Sequence, residues 1–340
     1  MRSLGKECPN ASPLFGKKRA ILLPPGGGRI TFPDMKTALN RRYFLKSTGL
    51  SLAGLGLVGR TDVRAVEALN RRGKPRLQLS LAAYSFRETF KASNPAKPFT
   101  LLDFVDYCAD HNLAGAEITS YYFPAPVTDE FILQLKHRAF VRGIPISGSA
   151  VGNNFVLPKG PKRDEQIAAV KAWIDRCALL GAPHIRVFAG PVSKELPPAE
   201  AKKLVIEALE ECGDYAARKG VFLGVENHGG IVAEPQDLLE IVRTVKCRWV
   251  GINLDTGNFQ TEDPYADLAQ CAPYAVNVQY KVEIHRRGEK QKEFADMPRV
   301  VKILRDANYQ GYLALEHEAK EDPWKTVPEW LEKLREAMAA

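Results

Sequence analysis

The stretch "KGVFLGVENHGG", residues 219–230, contains the features that decide the fold. Gly220 follows a helical segment and suits the left-handed conformation that commonly ends a helix. The run "VFLGVEN" (221–227) is short and almost entirely apolar, as expected for a strand buried on both faces of a parallel sheet. The run ends in Glu226 and Asn227, and His228 follows. The stretch therefore predicts a buried strand that follows a helix and emerges at polar, titratable groups.

The same arrangement recurs along the chain from residue 77 onward, with amphipathic helical segments between short apolar runs. The eight predicted strands are 77–86, 114–119, 144–150, 184–190, 221–227, 249–255, 275–282 and 312–318. Eight such units in about 260 residues predict an α/β fold, a (β/α)8 TIM barrel. A doubly wound open sheet is the alternative, but no GxGxxG motif follows the first strand.

In a barrel of this kind the functional residues lie at the carboxyl ends of the strands, where the following loops begin. The predicted strand ends carry polar groups: Glu117, Thr119, Arg186, Glu226, Asn227, His228, Asp255, Gln279, Lys281, Glu316 and Glu318. Carboxylates that converge in a poorly solvated mouth repel one another and lose hydration. Either some of them hold protons, or a divalent cation lies among them.

The stretch "AVNVQYKVEI", residues 275–284, is an unusual strand. Alternation places Asn277, Gln279 and Lys281 on one face. We expect Asn277 to lie deeper in the barrel, where it could pair with Asn253. Gln279 and Lys281 should then reach the mouth.

Four motifs together resemble the xylose isomerase-like superfamily of sugar-phosphate isomerases and epimerases, which also contains apurinic endonucleases. They are "GVENHGG", "INLDTGNF", "NVQYK" and "ALEHE", on the fifth to eighth predicted strands. The resemblance covers about residues 77–335 and implies a xylose isomerase-like barrel, a small carbohydrate substrate and a divalent metal.

The resemblance also implies a metal-ligand set, because the ketose epimerases of this superfamily bind their metal through Glu, Asp, His and Glu. The matching positions are Glu226, Asp255, Gln279 and Glu316. Gln279 departs from the family pattern, which has His there. An amide oxygen suits Mn²⁺ or Mg²⁺ better than Zn²⁺, so we expect one of the first two.

A second departure argues against nucleic-acid chemistry. The endonucleases have a ligating His where this chain has Asn258, which we instead assign to substrate binding. Residues 1–68 hold 12 Lys and Arg against 4 Asp and Glu, and 12 − 4 accounts for the whole net charge of +8. The remaining residues are electrically balanced, so we expect no nucleic-acid partner.

The other residues at the strand ends are predicted to bind substrate or to support the site. Glu117 could contact substrate, and Arg186 could bind a substrate oxyanion or neutralise Glu117. His228 could face the substrate or bind a loop carbonyl. Lys281 could orient an enolate oxygen or pair with Glu318.

These residues suit proton abstraction next to a carbonyl, with Glu226 and Glu316 as the two bases. The predicted function is a metal-dependent isomerase or epimerase of a small sugar or keto-sugar, acting through an enediolate. One alternative is a lyase or dehydratase on a 3-keto-glycoside or a polyol derivative. Another is a sugar-binding barrel without catalysis. The protein could also form a homo-oligomer.

The N-terminus is predicted to direct export. Residues 1–34 lack periodicity and are disordered or a mis-assigned start, and residues 35–68 resemble a twin-arginine signal peptide with Arg41 and Arg42. Cleavage could follow Ala65 or Ala68, which leaves the barrel domain, 77–338, in the periplasm or otherwise exported. No stable membrane association is expected unless the signal stays uncleaved. The scattered cysteines argue against a disulfide framework.

Overall fold

The computed structural model describes residues 66–92, 98–192 and 194–340. Eight parallel strands close into a barrel, and each strand pairs with its neighbours in chain order until the last pairs with the first. The barrel strands are β1 (Arg76–Ala82), β2 (Gly115–Thr119), β3 (Ile146–Ala150), β4 (His184–Phe188), β5 (Phe222–Glu226), β6 (Val250–Asp255), β7 (Ala275–Lys281) and β10 (Gln310–Glu316). The predicted α/β barrel is confirmed.

Helices surround the barrel and cover the outer faces of its strands. They are α1 (Arg87–Ala92), α2 (Leu101–Asp110), α3 (Asp129–Val141), α4 (Pro161–Leu180), α5 (Pro198–Lys219), α6 (Pro235–Thr244), α7 (Pro264–Cys271), α8 (Met297–Asp306) and α9 (Pro323–Ala339). Helix α5 ends at Gly220, whose φ of 71° is left-handed, as the sequence predicted. The chain then enters β5 directly, which places Glu226 at the mouth.

The predicted strand positions are confirmed, but two details were wrong or missed. The first strand stops at Ala82, and Ala83–Phe86 form a 3₁₀ turn, because β1 has no strand partner beyond its pairing with Glu117 of β2. The continuous apolar sequence gives no signal of this end. A small antiparallel hairpin, β8 (Glu283–Ile284) with β9 (Glu293–Phe294), follows β7 and was not predicted.

The predicted leader (1–34) and nearly all of the predicted signal (35–68) lie outside the described residues. Val66, the first described residue, is buried, and its amide donates a hydrogen bond to the Val245 carbonyl at 2.9 Å. Within the described part of the chain, no helix is long and apolar enough to cross a membrane. The five cysteines in the described part of the chain are buried and free.

Candidate active site

Four charged residues meet at the carboxyl end of the barrel, and each is the last residue of its strand. They are Glu226 of β5, Asp255 of β6, Lys281 of β7 and Glu316 of β10. All four are buried. We call this group the mouth cluster. The convergence follows from the parallel topology, because the carboxyl ends of all eight strands open at the same rim.

Lys281 is the cation at the centre of the mouth cluster. Its Nζ lies 2.8 Å from Glu316 Oε2 and 3.4 Å from Asp255 Oδ2. The same nitrogen lies 2.7 Å from Oε2 of Glu318, the pairing that the sequence raised as one alternative. One ammonium group at the end of β7 therefore partly neutralises three carboxylates at the ends of the two flanking strands, β6 and β10.

Arg186 is the cation on the side of the mouth opposite Lys281. Its Nε lies 2.8 Å from Glu226 Oε2, and Asn258 Nδ2 donates to Glu226 Oε1 at 2.8 Å. The interpretation that Arg186 neutralises Glu117 was therefore wrong. The register of β4 against β5 pairs Phe188 with Glu226, which brings the guanidinium of β4 to that carboxylate. Glu226 is thus fixed by two side chains.

Burial dominates the protonation of the three carboxylates of the mouth cluster. It raises the pKa of Glu226, against the lowering effect of the Arg186 and Lys281 cations. Burial likewise raises the pKa of Glu316, against Lys281. The pKa of Asp255 is held well above its usual range by burial, and Asp255 Oδ2 has no hydrogen-bond partner.

Gln279 belongs to a buried amide network that also contains Glu117, Asn253 and Asn277. Asn253 Nδ2 donates to Gln279 Oε1 at 2.6 Å, and Gln279 Nε2 donates to Glu117 Oε1 at 2.7 Å. Asn277 Nδ2 donates to Glu117 Oε2 at 2.7 Å and to Asn253 Oδ1 at 2.9 Å, which confirms the predicted pairing of the two asparagines. Both polar atoms of the Gln279 side chain are therefore engaged inside the barrel.

The predicted substrate-binding residues lie at two depths in the barrel, some at the mouth and one in the buried amide network. His228 borders the mouth cavity, with its ring centroid 4.7 Å from that of Phe188. Partial burial and the Arg186 cation lower the pKa of His228, so its imidazole is neutral near pH 7. Glu117 does not border this cavity, because its carboxylate is buried in the amide network. Asn258 and Lys281 contact carboxylates of the mouth, as described.

Three aromatic residues of the mouth were missed from the sequence. Tyr84, Tyr121 and Phe188 line the mouth cavity, whose volume is about 60 Å³, beside the charged groups. Tyr84 and Tyr121 each lie two residues beyond the last residue of a strand, β1 and β2. The rule that strand ends carry function could have found them if aromatic as well as polar residues had been counted.

The fold and the mouth cluster define a class: an α/β barrel with buried acid–base groups at the carboxyl end of its strands. Residues 105–334 match the family of xylose isomerase-like TIM barrels, and the chain belongs to this family. No curated protein sequence matches the chain.

Solved structures share this fold at low sequence identity. The 3-keto-D-glucoside 4-epimerase from E. coli is 16% identical with a TM-score of 0.61, over 77% of this chain and 100% of its own. The D-psicose 3-epimerase from Clostridium cellulolyticum H10 is 15% identical with a TM-score of 0.62, over 77% and 99%. The IOLI protein, solved with a bound zinc atom, is 18% identical with a TM-score of 0.62, over 77% and 96%.

Because of its fold family, the mouth has to be tested as a metal site. The side-chain oxygens of the mouth are of the chemical type that binds a divalent ion. When all four are ionised, Glu226, Asp255, Glu316 and Glu318 carry four negative charges against the two positive charges of Arg186 and Lys281, and 4 − 2 leaves two in excess for a cation to balance. Asp255 Oδ2, which accepts no hydrogen bond, is a suitable oxygen ligand for such an ion. Among the described residues, however, no three Asp, Glu, His or Cys side chains are already grouped to hold an ion.

Proposed function

We propose that the protein is a divalent-metal-dependent isomerase or epimerase of a small sugar or keto-sugar. The observation that carries this proposal is the pair of buried carboxylates, Glu226 and Glu316, which border one cavity from β5 and β10. Two further strands, β6 and β7, separate β5 from β10 around the barrel. Two bases on different sides of a bound sugar are what inversion at a carbon next to a carbonyl requires.

Glu226 and Glu316 take complementary roles in this reaction. One carboxylate removes the proton from the carbon next to the carbonyl, and the other, carrying a proton, returns it to the opposite face. Raised pKa values favour this exchange, because a general acid or base works best when its pKa approaches the working pH. Which residue acts first depends on the configuration of the substrate.

The surrounding side chains hold these two groups in place. Arg186 and Asn258 fix both oxygens of Glu226, while Lys281 contacts Glu316. The Lys281 ammonium also stands where it can stabilise an oxyanion of the enediolate. The neutral His228 and Asn258 border the approach to the mouth and supply hydrogen bonds to sugar hydroxyls.

A divalent ion would be held by Glu226, Asp255 and Glu316, with Gln279 as the fourth ligand that the family pattern implies. Bound there, it would polarise the substrate carbonyl and an adjacent hydroxyl. Gln279 is the least suited of the four, because its oxygen already accepts a hydrogen bond from Asn253. Carboxylate and amide oxygens favour Mn²⁺ or Mg²⁺ over Zn²⁺.

We further propose that the protein is exported through a twin-arginine signal. The buried Val66 and its hydrogen bond to Val245 support cleavage after Ala65 rather than after Ala68, because the later cut would remove a packed residue. Sequencing the N-terminus of the protein recovered from the periplasm tests this. A mature chain that starts at Glu67 or later would contradict it.

Metal titration tests the core of the proposal. The purified protein is mixed with one ion at a time, Mn²⁺, Mg²⁺, Co²⁺ or Zn²⁺, and its thermal unfolding is measured. An ion at a hundredfold excess over its dissociation constant stabilises the fold by about 2.7 kcal/mol. We expect the largest shift with Mn²⁺ or Mg²⁺ and its loss in Asp255→Asn. No shift with any of the four ions would contradict metal dependence.

Product analysis then separates the reaction types. The metal-loaded protein is incubated with a panel of ketohexoses and 3-keto-glucosides, and the products are identified by NMR. An epimer or positional isomer of unchanged mass supports the proposal. Loss of water or of an aglycone would instead indicate a lyase or dehydratase.

A further inference from the structure

An aromatic cleft of about 690 Å³ adjoins the mouth. Its walls come from the loops and helices that follow β1 and β2, at the same end of the barrel as the mouth cluster. Phe90 of α1, Tyr122 of the turn after β2 and Phe131 of α3 line it. Its volume lies within the range of about 300–1,000 Å³ that is usual for small-molecule sites.

The cleft and the mouth share two residues. Tyr84 and Tyr121 line both the cleft and the small mouth cavity. The Tyr121 hydroxyl also accepts a hydrogen bond from Arg186 Nη1 at 3.4 Å, so this ring stands between the charged groups and the cleft. The cleft and the mouth cavity are therefore neighbours, with Tyr84 and Tyr121 as their shared boundary.

The aromatic walls are held in place before any ligand arrives. The rings of Phe90 and Tyr122 stack with centroids 4.1 Å apart and planes within 8° of parallel. Phe131 packs edge to face against Phe123 at 5.8 Å. Tyr121 nevertheless keeps 46% of its surface exposed. Rigid aromatic surface that faces solvent binds an apolar or aromatic group at little entropic cost.

We propose that the cleft holds the aglycone of a glycoside whose sugar ring occupies the mouth. The substrate class is then glycosides with an aromatic or otherwise apolar aglycone, rather than free ketohexoses. This inference rests on the proposed function, because it assumes that the mouth binds the sugar. It adds a second subsite that selects among sugars by what they are attached to.

Paired glycosides test the inference by binding alone. Methyl and 4-nitrophenyl β-D-glycosides of glucose, galactose and xylose are titrated into the full chain by calorimetry. We expect at least one 4-nitrophenyl glycoside to bind tenfold or more tightly than its methyl partner. The advantage should fall to twofold or less in Tyr122→Ala, which removes half of the stacked pair, and in Phe131→Trp, which narrows the cleft without leaving a cavity.

Phe140→Ala is the matched control, because Phe140 also belongs to α3 but is 84% exposed and does not line the cleft. It should keep the full preference. Thermal unfolding checks that each variant is folded, and if Tyr122→Ala is not, Phe131→Trp decides. Equal affinity within every methyl and 4-nitrophenyl pair, or a preference that survives in Phe131→Trp, would overturn the inference.

Proton exchange on keto-sugars is measured separately on the same protein, so the two ideas fail independently. Exchange without any preference for 4-nitrophenyl glycosides would leave the proposed function standing and remove the second subsite. A preference without exchange would leave an aromatic binding site beside a mouth that does not catalyse.

Discussion

Replacing Gln279 by Leu tests what the side chain at this position does. Gln279 is about 1% exposed, and it gives Glu117 Oε1 one donor and Asn253 Nδ2 one acceptor. Leu has a similar volume, so the substitution removes both hydrogen bonds and leaves little cavity. Each buried polar atom left without a partner costs about 1–3 kcal/mol, and more when it is charged.

The expected loss is therefore about 3–5 kcal/mol of unfolding free energy, a large share of the roughly 5–15 kcal/mol that holds a domain folded. At about 2–4 °C per kcal/mol for a chain of this size class, the melting temperature should fall by roughly 10 °C. The assay is urea unfolding in the presence of EDTA, so that metal binding does not contribute.

The matched control is Gln270→Leu on α7, where an exposed amide bonds only within its own helix. It should change stability by less than about 0.5 kcal/mol. A loss below about 1 kcal/mol for Gln279→Leu in EDTA would refute the structural role of the amide network. A loss that appears only after Mn²⁺ or Mg²⁺ is added would instead assign Gln279 to the metal.

Three further substitutions test the buried charges and the packing. Asp255→Asn should stabilise the protein at pH 8 and not at pH 4. Burial raises the pKa of Asp255 in the folded state above its value in the unfolded state, so the wild type loses stability as the pH rises between these two pKa values. Urea unfolding at both pH values checks the sign. Arg163→Met should lower the free energy of unfolding by about 3 kcal/mol, because the buried guanidinium donates hydrogen bonds to three backbone carbonyls. Lys162→Met, at the exposed neighbouring position, should leave stability unchanged. Equal stability of the two variants would contradict this prediction. Gly148→Ala should lower the melting temperature, because the added Cβ would lie 1.9 Å from His184 Cε1. Overpacking of this kind costs about 1–3 kcal/mol of stability. An unchanged melting temperature would show that the His184 ring moves freely.

The order of strands along the chain, and every strand end except that of β1, could be predicted to within two residues from local pattern alone. Glu226, Asp255, Lys281 and Glu316 reach one rim because parallel strands all end there, and this needs no knowledge of side-chain contacts. The short apolar runs between helices fixed the strand positions to within a few residues, except where β1 ended without a signal.

The partners of the buried polar residues could not be predicted in the same way. Glu117 receives a hydrogen bond from Asn277, 160 residues away in sequence, and Arg186 pairs with Glu226 across two neighbouring strands. Such contacts depend on the stagger between strands, which shifts at irregular points such as the one between Ile252 and Asn253. Sequence alternation gives the face of a residue but not its depth in the barrel.

Gln279 illustrates the difference. The family resemblance implies a metal ligand at its sequence position, and period-two alternation correctly turns its side chain inward. Its depth, however, places its amide between Glu117 and Asn253, where it completes a hydrogen-bond network. Assignment of Gln279 as a metal ligand stays a prediction.

The most direct test of the central claim is solvent deuterium exchange. The metal-loaded protein is incubated with a keto-sugar in D₂O, and deuterium at the carbon next to the carbonyl is followed by NMR. We predict exchange by the wild type and at least a hundredfold slower exchange by Glu316→Gln, since a general base contributes roughly 10²–10⁴-fold. Glu329→Gln, an exposed change on α9, should exchange at the wild-type rate. Full exchange by a folded Glu316→Gln variant would contradict the two-carboxylate mechanism.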